Sequence, residues 1–377
     1  MQPYLDPSLI KILELPVNDP WSEVQIPQGA DIAAQRHLRG DFGQVKFPET
    51  LVNKKGVAIL AAGRHLFNTP NVSSFRGLVS YFLYDLIGDE FFKAQETLDM
   101  SERHPLGIWR DHTFSNFNSK EALAPQAETG DTLSWTMLAY HTYLAYENST
   151  LPEDLISRLR VAKEFQGARF EIQAAAVMIA AGYEIEWIEG GEDKIAEFVA
   201  THRLTGLKFA VEAKSRHRPE VLAKGAHRAP SDPPKVGVQK LISKALAKNP
   251  ALPLIIFLEA NLPFAAGELS GGMQHELDQV WKRTLRRDDW KKLGGFPCVG
   301  MVVSNDRTWW DVGMPLRTPK DPNWLMWFDG PNRHDLKGDA LKEDIFRGYL
   351  QAGRVPEFTW DNSNPPPPDV LNYRGQA

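Results

Sequence analysis

The chain has 377 residues, with 43 Lys and Arg against 48 Asp and Glu, a net charge of −5 and one cysteine. This length allows two domains, or one domain with a large elaboration. The single Cys298 excludes an internal disulfide and a cysteine-rich zinc site, and we expect it to be buried in a strand. No apolar run reaches the roughly 18 residues of a membrane span, and the first residues lack the features of a signal peptide. We therefore expect a soluble, cytoplasmic protein with no membrane contact.

The first part of the chain, residues 1–150, is predicted to be a mainly helical region that recognises a substrate or a partner. Residues 1–55 are rich in Pro, Asp and Gln and indicate a loosely organised arm with short helical fragments, such as 8–14. Apolar and aromatic periodicity predicts longer helices at 74–87, 132–147 and 152–162.

The domain boundary is predicted near residue 150, within the polar and Pro-containing segment 148–152. A second domain would then cover residues 151–360. The tail 361–377 contains four consecutive prolines and is expected to be extended and flexible.

The segment from Phe165 to Gly182 has the spacing of a helix with Glu171 near its middle. Gly182 is a helix stop signal. The predicted apolar face consists of Phe165, Ala168, Ile172, Ala175, Ala176 and Ile179.

Three segments with alternating polarity follow this helix and predict strands at 183–188, 195–201 and 207–214. Side chains alternate across a strand, so Glu212 and Lys214 share one face of the third strand. A four-residue loop at 203–206 would set Glu197 opposite Glu212. A two-residue loop would instead pair Glu197 with Lys214, and both registers bring Glu197 to the same face.

Two neighbouring carboxylates require positive charge, because at about 4 Å they repel by roughly 4 kcal/mol at an effective dielectric of about 20. Lys214 supplies one charge, and a divalent cation would supply the rest. Mg²⁺ takes one or two protein carboxylates together with water and substrate phosphate, so the pattern predicts a Mg²⁺ site that Mn²⁺ can share. The alternative interpretation is a solvated sheet face with cross-strand Glu–Lys pairs.

The predicted strand order continues with a helix at 236–248 and an apolar strand at 252–259, which completes an α-β-β-β-α-β core around a mixed sheet. Gln239 begins the polar side of that helix and is an auxiliary site candidate. Further elements are a helix at 273–290, a buried strand at 297–304 and a helix at 339–350.

Positive charge is concentrated between residues 202 and 248, where eleven Lys or Arg stand against three acids. Local charge of this kind dominates binding to the phosphate backbone, and overall pI does not. Arg216 and Arg218 follow Lys214 directly and are, with Gln239, the predicted nucleic-acid contacts. The alternative is an ordinary solvated basic surface.

These residues resemble the PD-(D/E)XK nuclease superfamily, which has the restriction-endonuclease-like fold. The motifs that carry the resemblance are Phe-Gln-Gly-Ala-Arg-Phe-Glu171, Gly-Tyr-Glu-Ile-Glu-Trp-Ile188, Ala-Glu197-Phe and Val-Glu212-Ala-Lys214. It implies that Glu197 and Glu212 hold the cation, that Lys214 is the lysine of the tripeptide, and that Glu171 binds a second cation or sets the electrostatics.

The chain departs from the family pattern at Ala196-Glu197, where the family most often has Pro-Asp. Glutamate can ligate a cation, although its longer arm changes the geometry. Asp193 lies four residues before Glu197 and is the alternative second acid.

The sequence therefore predicts a metal-dependent nuclease that hydrolyses phosphodiester bonds, with DNA as its substrate. The chain has no P-loop, so an ATP-driven step would need a partner protein, and a homodimer stays open. The second interpretation is a catalytically inactive protein of the same fold that binds nucleic acid or serves as a scaffold. The third is a structural interaction protein that works through its helical half and its Pro-rich tail.

Overall fold

The computed structural model describes residues 75–118, 129–190, 195–217, 236–262, 271–287, 289–292, 294–306 and 324–355. Between residues 12 and 67 it describes five short strands by their backbone. The described residues form a mixed α/β structure with two separate sheets.

The smaller sheet is built from short strands near the start of the chain. Its strands are β1 Ile12–Glu14, β2 Val24–Gln25, β3 Glu49–Asn53, β4 Ala58–Ala62 and β5 His65–Phe67. They pair antiparallel in the order β1-β5-β4-β3-β2. The predicted helical fragment at 8–14 is therefore wrong for Ile12–Glu14, and the mainly helical prediction for residues 1–150 is wrong for all five strands. A helix of only a few residues forms too few hydrogen bonds to offset the free energy of helix nucleation. In the strand, Ile12 and Leu13 instead pair with Phe67 and Leu66.

The described residues between 75 and 150 are mainly helical, as predicted. The helices are α1 Phe75–Ile87, α2 Asp89–Glu96, α3 Pro105–Asn118, α4 Gly130–Asn148 and α5 Glu153–Leu159. Their aromatic side chains are buried against one another. Phe75 and Phe82, for example, meet Tyr143 edge-on at ring-centroid distances of 5.6 and 5.7 Å. These aromatics form the core of the helical region, as edge-to-face pairs commonly do.

Helix α6, Ala162–Ala180, connects this helical core to the main sheet. Phe165 and Ile172 pack in the helical core, and Phe170 and Val177 pack against the sheet. The predicted apolar face is buried, but the opposite face is buried as well, because the helix lies between two cores. The helix ends at Ala180, and the predicted stop signal Gly182 follows two residues later with a φ of 96°, a backbone conformation that favours glycine.

The main sheet has six strands and follows α6 directly. In chain order the elements are β6 Tyr183–Trp187, β7 Phe198–His202, β8 Lys208–Ser215, α7 Gln239–Ala247, β9 Leu254–Glu259, β10 Cys298–Asn305 and β11 Trp324–Asp329. The spatial order is β11-β10-β9-β8-β7-β6, with β8, β9 and β10 parallel and the other neighbours antiparallel. From α6 to β9 the elements follow the predicted helix-strand-strand-strand-helix-strand order.

Helices cover both faces of this sheet. The remaining helices are α8 Gly271–Leu285, α9 Asp289–Lys292 and α10 Gly338–Ala352. Buried side chains of α6 and α10 form one core with the sheet, and those of α7 and α8 form another. Side chains that alternate along β8 therefore point either toward α6 and α10 or toward α7 and α8.

Cys298 is fully buried at the start of β10, as expected from the sequence. Within the described ranges, no helix has both the length and the apolar character that crossing a membrane requires.

Candidate active site

The register of the β7–β8 hairpin decides where Glu197 lies. Phe198 pairs with Val211, and the His202 N–H donates to the Leu207 carbonyl at 2.8 Å, so the four-residue loop is the one observed. The two-residue alternative is wrong. Glu197 lies just before β7, and its N–H donates to the Val211 carbonyl at 2.9 Å. This bond places Glu197 beside Glu212.

Lys214 joins the two carboxylates directly. Its Nζ donates to Glu197 Oε1 at 3.0 Å and contacts Glu212 Oε1. Three of the four predicted site residues therefore converge, two from β8 and one from the residue just before β7. Glu212 and Lys214 project from the same face of β8, as the alternation predicted.

Lys248 is a fourth member of this group, and its role was not predicted from the sequence. It caps the C-terminal end of α7, and its Nζ lies 2.8 Å from Glu212 Oε2 and 3.7 Å from Glu197 Oε1. We refer to Glu197, Glu212, Lys214 and Lys248 as the Glu–Lys cluster. The cluster contains two acidic and two basic side chains.

The helical spacing of α7 contained a signal for Lys248. Val238, Ile242 and Ala245 are buried against the sheet, and Lys248 follows Ala245 by three residues. Residues three or four apart lie on one helix face, so this spacing directs Lys248 inward. The positive charge of Lys248, taken alone, indicated only a solvent-exposed surface residue.

Burial sets the electrostatics of the cluster. Glu212 is 0% exposed and Glu197 is 5% exposed. Burial, followed by the charge of Glu197, raises the pKa of Glu212 against the opposing effect of Lys214 and Lys248. Burial lowers the pKa of Lys214, but the charges of Glu212 and Glu197 outweigh it and leave that pKa above its ordinary value. Carboxylates and ammonium groups in the cluster thus favour each other's charged forms.

Glu171 lies on α6 and is held by Arg158 of α5. Two parallel hydrogen bonds, at 2.8 and 2.6 Å, join the guanidinium to its carboxylate oxygens. This hydrogen bonding raises the pKa of Arg158, and the charges of Glu171 and Glu197 raise it further. Arg158 therefore links Glu171 electrostatically to the cluster. The contact between Arg158 and Glu171 was not predicted, because Arg158 precedes the segments that carry the family resemblance.

Two of the three predicted nucleic-acid contacts, Arg216 and Gln239, lie within the described residues. The Arg216 guanidinium donates to the Val236 carbonyl and packs against Gly237, so it joins the end of β8 to the segment before α7. Gln239 is exposed at the first residue of α7. Arg218 and the alternative acid Asp193 lie outside the described residues.

The side chains present fit a Mg²⁺ ion with few protein ligands. Over the described ranges, no group of three or more His, Cys, Asp and Glu converges on one point. Mg²⁺ needs only one or two carboxylates with water and phosphate, which Glu197 and Glu212 supply. Both Glu212 oxygens are buried, and each contacts one ammonium group, Oε1 that of Lys214 and Oε2 that of Lys248. Such oxygens are suited to a cation.

No family model, curated protein or solved structure matches this chain. Its function is therefore inferred from the geometry, burial and charge of the Glu–Lys cluster.

Proposed function

We propose that this chain is a Mg²⁺-dependent nuclease that hydrolyses phosphodiester bonds, with DNA as its substrate and Mn²⁺ as a substitute cation. The observation that carries the proposal is the convergence of Glu197, Glu212 and Lys214 at one place on the main sheet. The resemblance of these residues to the PD-(D/E)XK superfamily supports it, as does the helix-strand order around them. The cytoplasmic location belongs to the same proposal.

Each residue has a defined task in this proposal. Glu197 and Glu212 would hold the cation, which supplies Lewis-acid activation of the phosphate and of a bound water. Lys214, which donates to Glu197, would orient the attacking water or offset negative charge as it develops on the phosphate. The bidentate pairing of Glu171 with Arg158 favours an electrostatic role for Glu171 over direct binding of a second cation.

An exposed basic surface lies at the end of α8 and on α9. It consists of Lys282, Arg283, Arg286, Arg287, Lys291 and Lys292, all exposed. Helix α8 packs on the same sheet face as α7, which carries Lys248 at its end. This surface is suited to contact the phosphate backbone of a nucleic acid whose scissile bond lies at the cluster.

The test is cleavage of plasmid DNA in Mg²⁺ by the full chain and by Lys214→Ala. We expect cleavage to fall by at least about 100-fold, because the variant loses the ammonium group that the proposal assigns to the attacking water or to the charge developing on the phosphate. Lys208→Ala, an exposed change in the same strand, is the matched control and should cleave normally. Thermal unfolding of both variants shows whether the fold is kept. Unchanged cleavage by a folded Lys214→Ala variant would refute the assigned role.

A second function is favoured by one specific observation. The two ammonium groups of Lys214 and Lys248 balance the two carboxylates of Glu197 and Glu212 in charge. A catalytically inactive protein that binds nucleic acid or serves as a scaffold would have this property. Calorimetric titration with Mg²⁺ or Mn²⁺ separates the two functions, since the nuclease must bind a cation and the scaffold need not.

A further inference from the structure

We infer that Lys248 occupies the place of the divalent cation when no cation is bound, and that it turns to a substrate phosphate once the cation arrives. This inference rests on the proposed function and adds a residue that the recognised motif does not contain. It makes cation binding and phosphate binding dependent on each other.

The contacts of Lys248 are those that a bridging cation would need. Its Nζ lies within 2.8 Å of Glu212 Oε2 and 3.7 Å of Glu197 Oε1, so one positive centre serves both carboxylates. Lys214 approaches Glu212 from the other oxygen, Oε1. Lys248 thus covers the Glu212 oxygen that Lys214 leaves accessible to a cation.

The two lysines differ in how freely they can move. Lys214 lies within β8, where it pairs with Leu258 of the parallel strand β9. Lys248 stands at the end of α7; its side chain is 21% exposed, about the same as the 22% of Lys214, so the two lysines differ in the backbone that carries them and not in exposure. A flexible four-carbon arm at a helix end can swing away from the carboxylates without any change in the sheet.

Charge explains why the two binding events would be coupled. The cluster is neutral without a cation, and a divalent ion would leave it with an excess of two positive charges. Like charges in a buried site repel strongly, so the ion should displace Lys248 toward solvent. A phosphodiester then brings negative charge back to the site and gives Lys248 a new partner. The cation and the phosphate should therefore each strengthen the other's binding.

The first experiment is calorimetric titration of Mn²⁺ into the full chain, Lys248→Met and Lys244→Met. Methionine keeps the length of the side chain without its charge, and Lys244 is an exposed residue one turn earlier on α7. We expect Lys248→Met to bind Mn²⁺ about tenfold more tightly than the wild type and Lys244→Met to be unchanged. A short DNA duplex with phosphorothioate linkages, which resist hydrolysis, should tighten Mn²⁺ binding to the wild type more than to Lys248→Met.

The second measurement uses the unaltered protein and does not depend on the folding of a variant. Acetylation of lysine amines, read by mass spectrometry, reports how accessible each Nζ is. We expect Mg²⁺ to increase the labelling of Lys248 several-fold, the DNA duplex to reverse that increase, and Lys244 to respond to neither.

The outcomes distinguish failure of the inference from failure of the proposed function. If the wild type binds Mn²⁺ and cleaves DNA but Lys248→Met binds Mn²⁺ no more tightly, the inference is wrong and the nuclease stands. If only Lys248→Met binds Mn²⁺, the inference is supported, and the result favours the catalytically inactive protein over the nuclease. If neither protein binds Mn²⁺ and Mg²⁺ does not change the labelling of Lys248, both the inference and the proposed nuclease function are overturned.

Discussion

Glu212 shows how one residue depends on the charges around it. Its carboxylate is fully buried in the middle of β8, where an unpaired charge would be strongly destabilising. Two ammonium groups from different elements, β8 and the end of α7, offset that cost. Removal of either lysine would leave buried negative charge behind, so tests of activity at this site need a parallel measurement of stability.

The buried histidine His141 predicts a loss of stability in acid. Its Nε2 donates to the Ala352 carbonyl at 3.0 Å, and burial lowers its pKa to about 4. The unfolded chain keeps a histidine pKa of about 6.5 and binds more protons between these values, so stability falls as the pH falls below about 6.5. At pH 5 the loss from this one residue should be about 2 kcal/mol.

The measurement is denaturant unfolding of the wild type and His141→Gln at pH 7.5 and pH 5. The variant should lose less stability than the wild type between these two conditions. The difference between the two proteins isolates His141 from other groups, such as the buried His104, whose pKa is also lowered to about 4 by burial. Equal losses in both proteins would show that His141 does not carry the effect.

At the scale of elements, α6 connects the helical core, the main sheet and the last helix, α10. Its contact with α10 is close at Gly348, where an added Cβ would lie 2.3 Å from the Val177 carbonyl oxygen. That oxygen belongs to the backbone of α6 and cannot move aside alone. A glycine is therefore required here by the distance between two helices.

Gly348→Ala should consequently destabilise the protein by about 1–3 kcal/mol, through overpacking between α6 and α10. Thermal and denaturant unfolding measure the change. Glu343→Ala, an exposed substitution on the same helix, should have little effect. A Gly348→Ala variant as stable as the wild type would mean that the helices separate at no cost.

At the scale of the whole molecule, the distribution of charge matters more than its sum. The net charge is −5, yet six exposed Lys and Arg cluster at the end of α8 and on α9. Nucleic acid responds to such a local surface, because binding releases counterions phosphate by phosphate.

The double substitution Arg283→Glu and Arg286→Glu should therefore weaken DNA binding. It should also reduce the slope of the logarithm of the binding constant against the logarithm of the salt concentration by about two. Fluorescence anisotropy over a series of salt concentrations gives both quantities. Lys93→Glu with Lys163→Glu changes the total charge equally on exposed residues outside this surface and should have a smaller effect. Equal effects of the two pairs would point to net charge instead of a defined surface.

Local patterns in the sequence were enough to predict the order of elements from α6 to β9. The signals used were the period-two polarity, Gly182 and the loop between β7 and β8. Each depends only on neighbouring residues, so it can be read without knowledge of the rest of the chain. The convergence of Glu197, Glu212 and Lys214 followed from the same reasoning, since all three lie in or next to the two strands of one hairpin, whose loop fixes which residues are opposite each other.

Other features were decided only by tertiary structure. Lys248 reaches the carboxylates because α7 packs across the sheet, and Arg158 holds Glu171 because α5 packs beside α6. Each contact depends on how two elements are placed, and a change of a few ångströms would redirect a long charged side chain. Of the five strands between residues 12 and 67, β1 and β2 pair with segments distant in the chain, and local propensity carries little information about such partners.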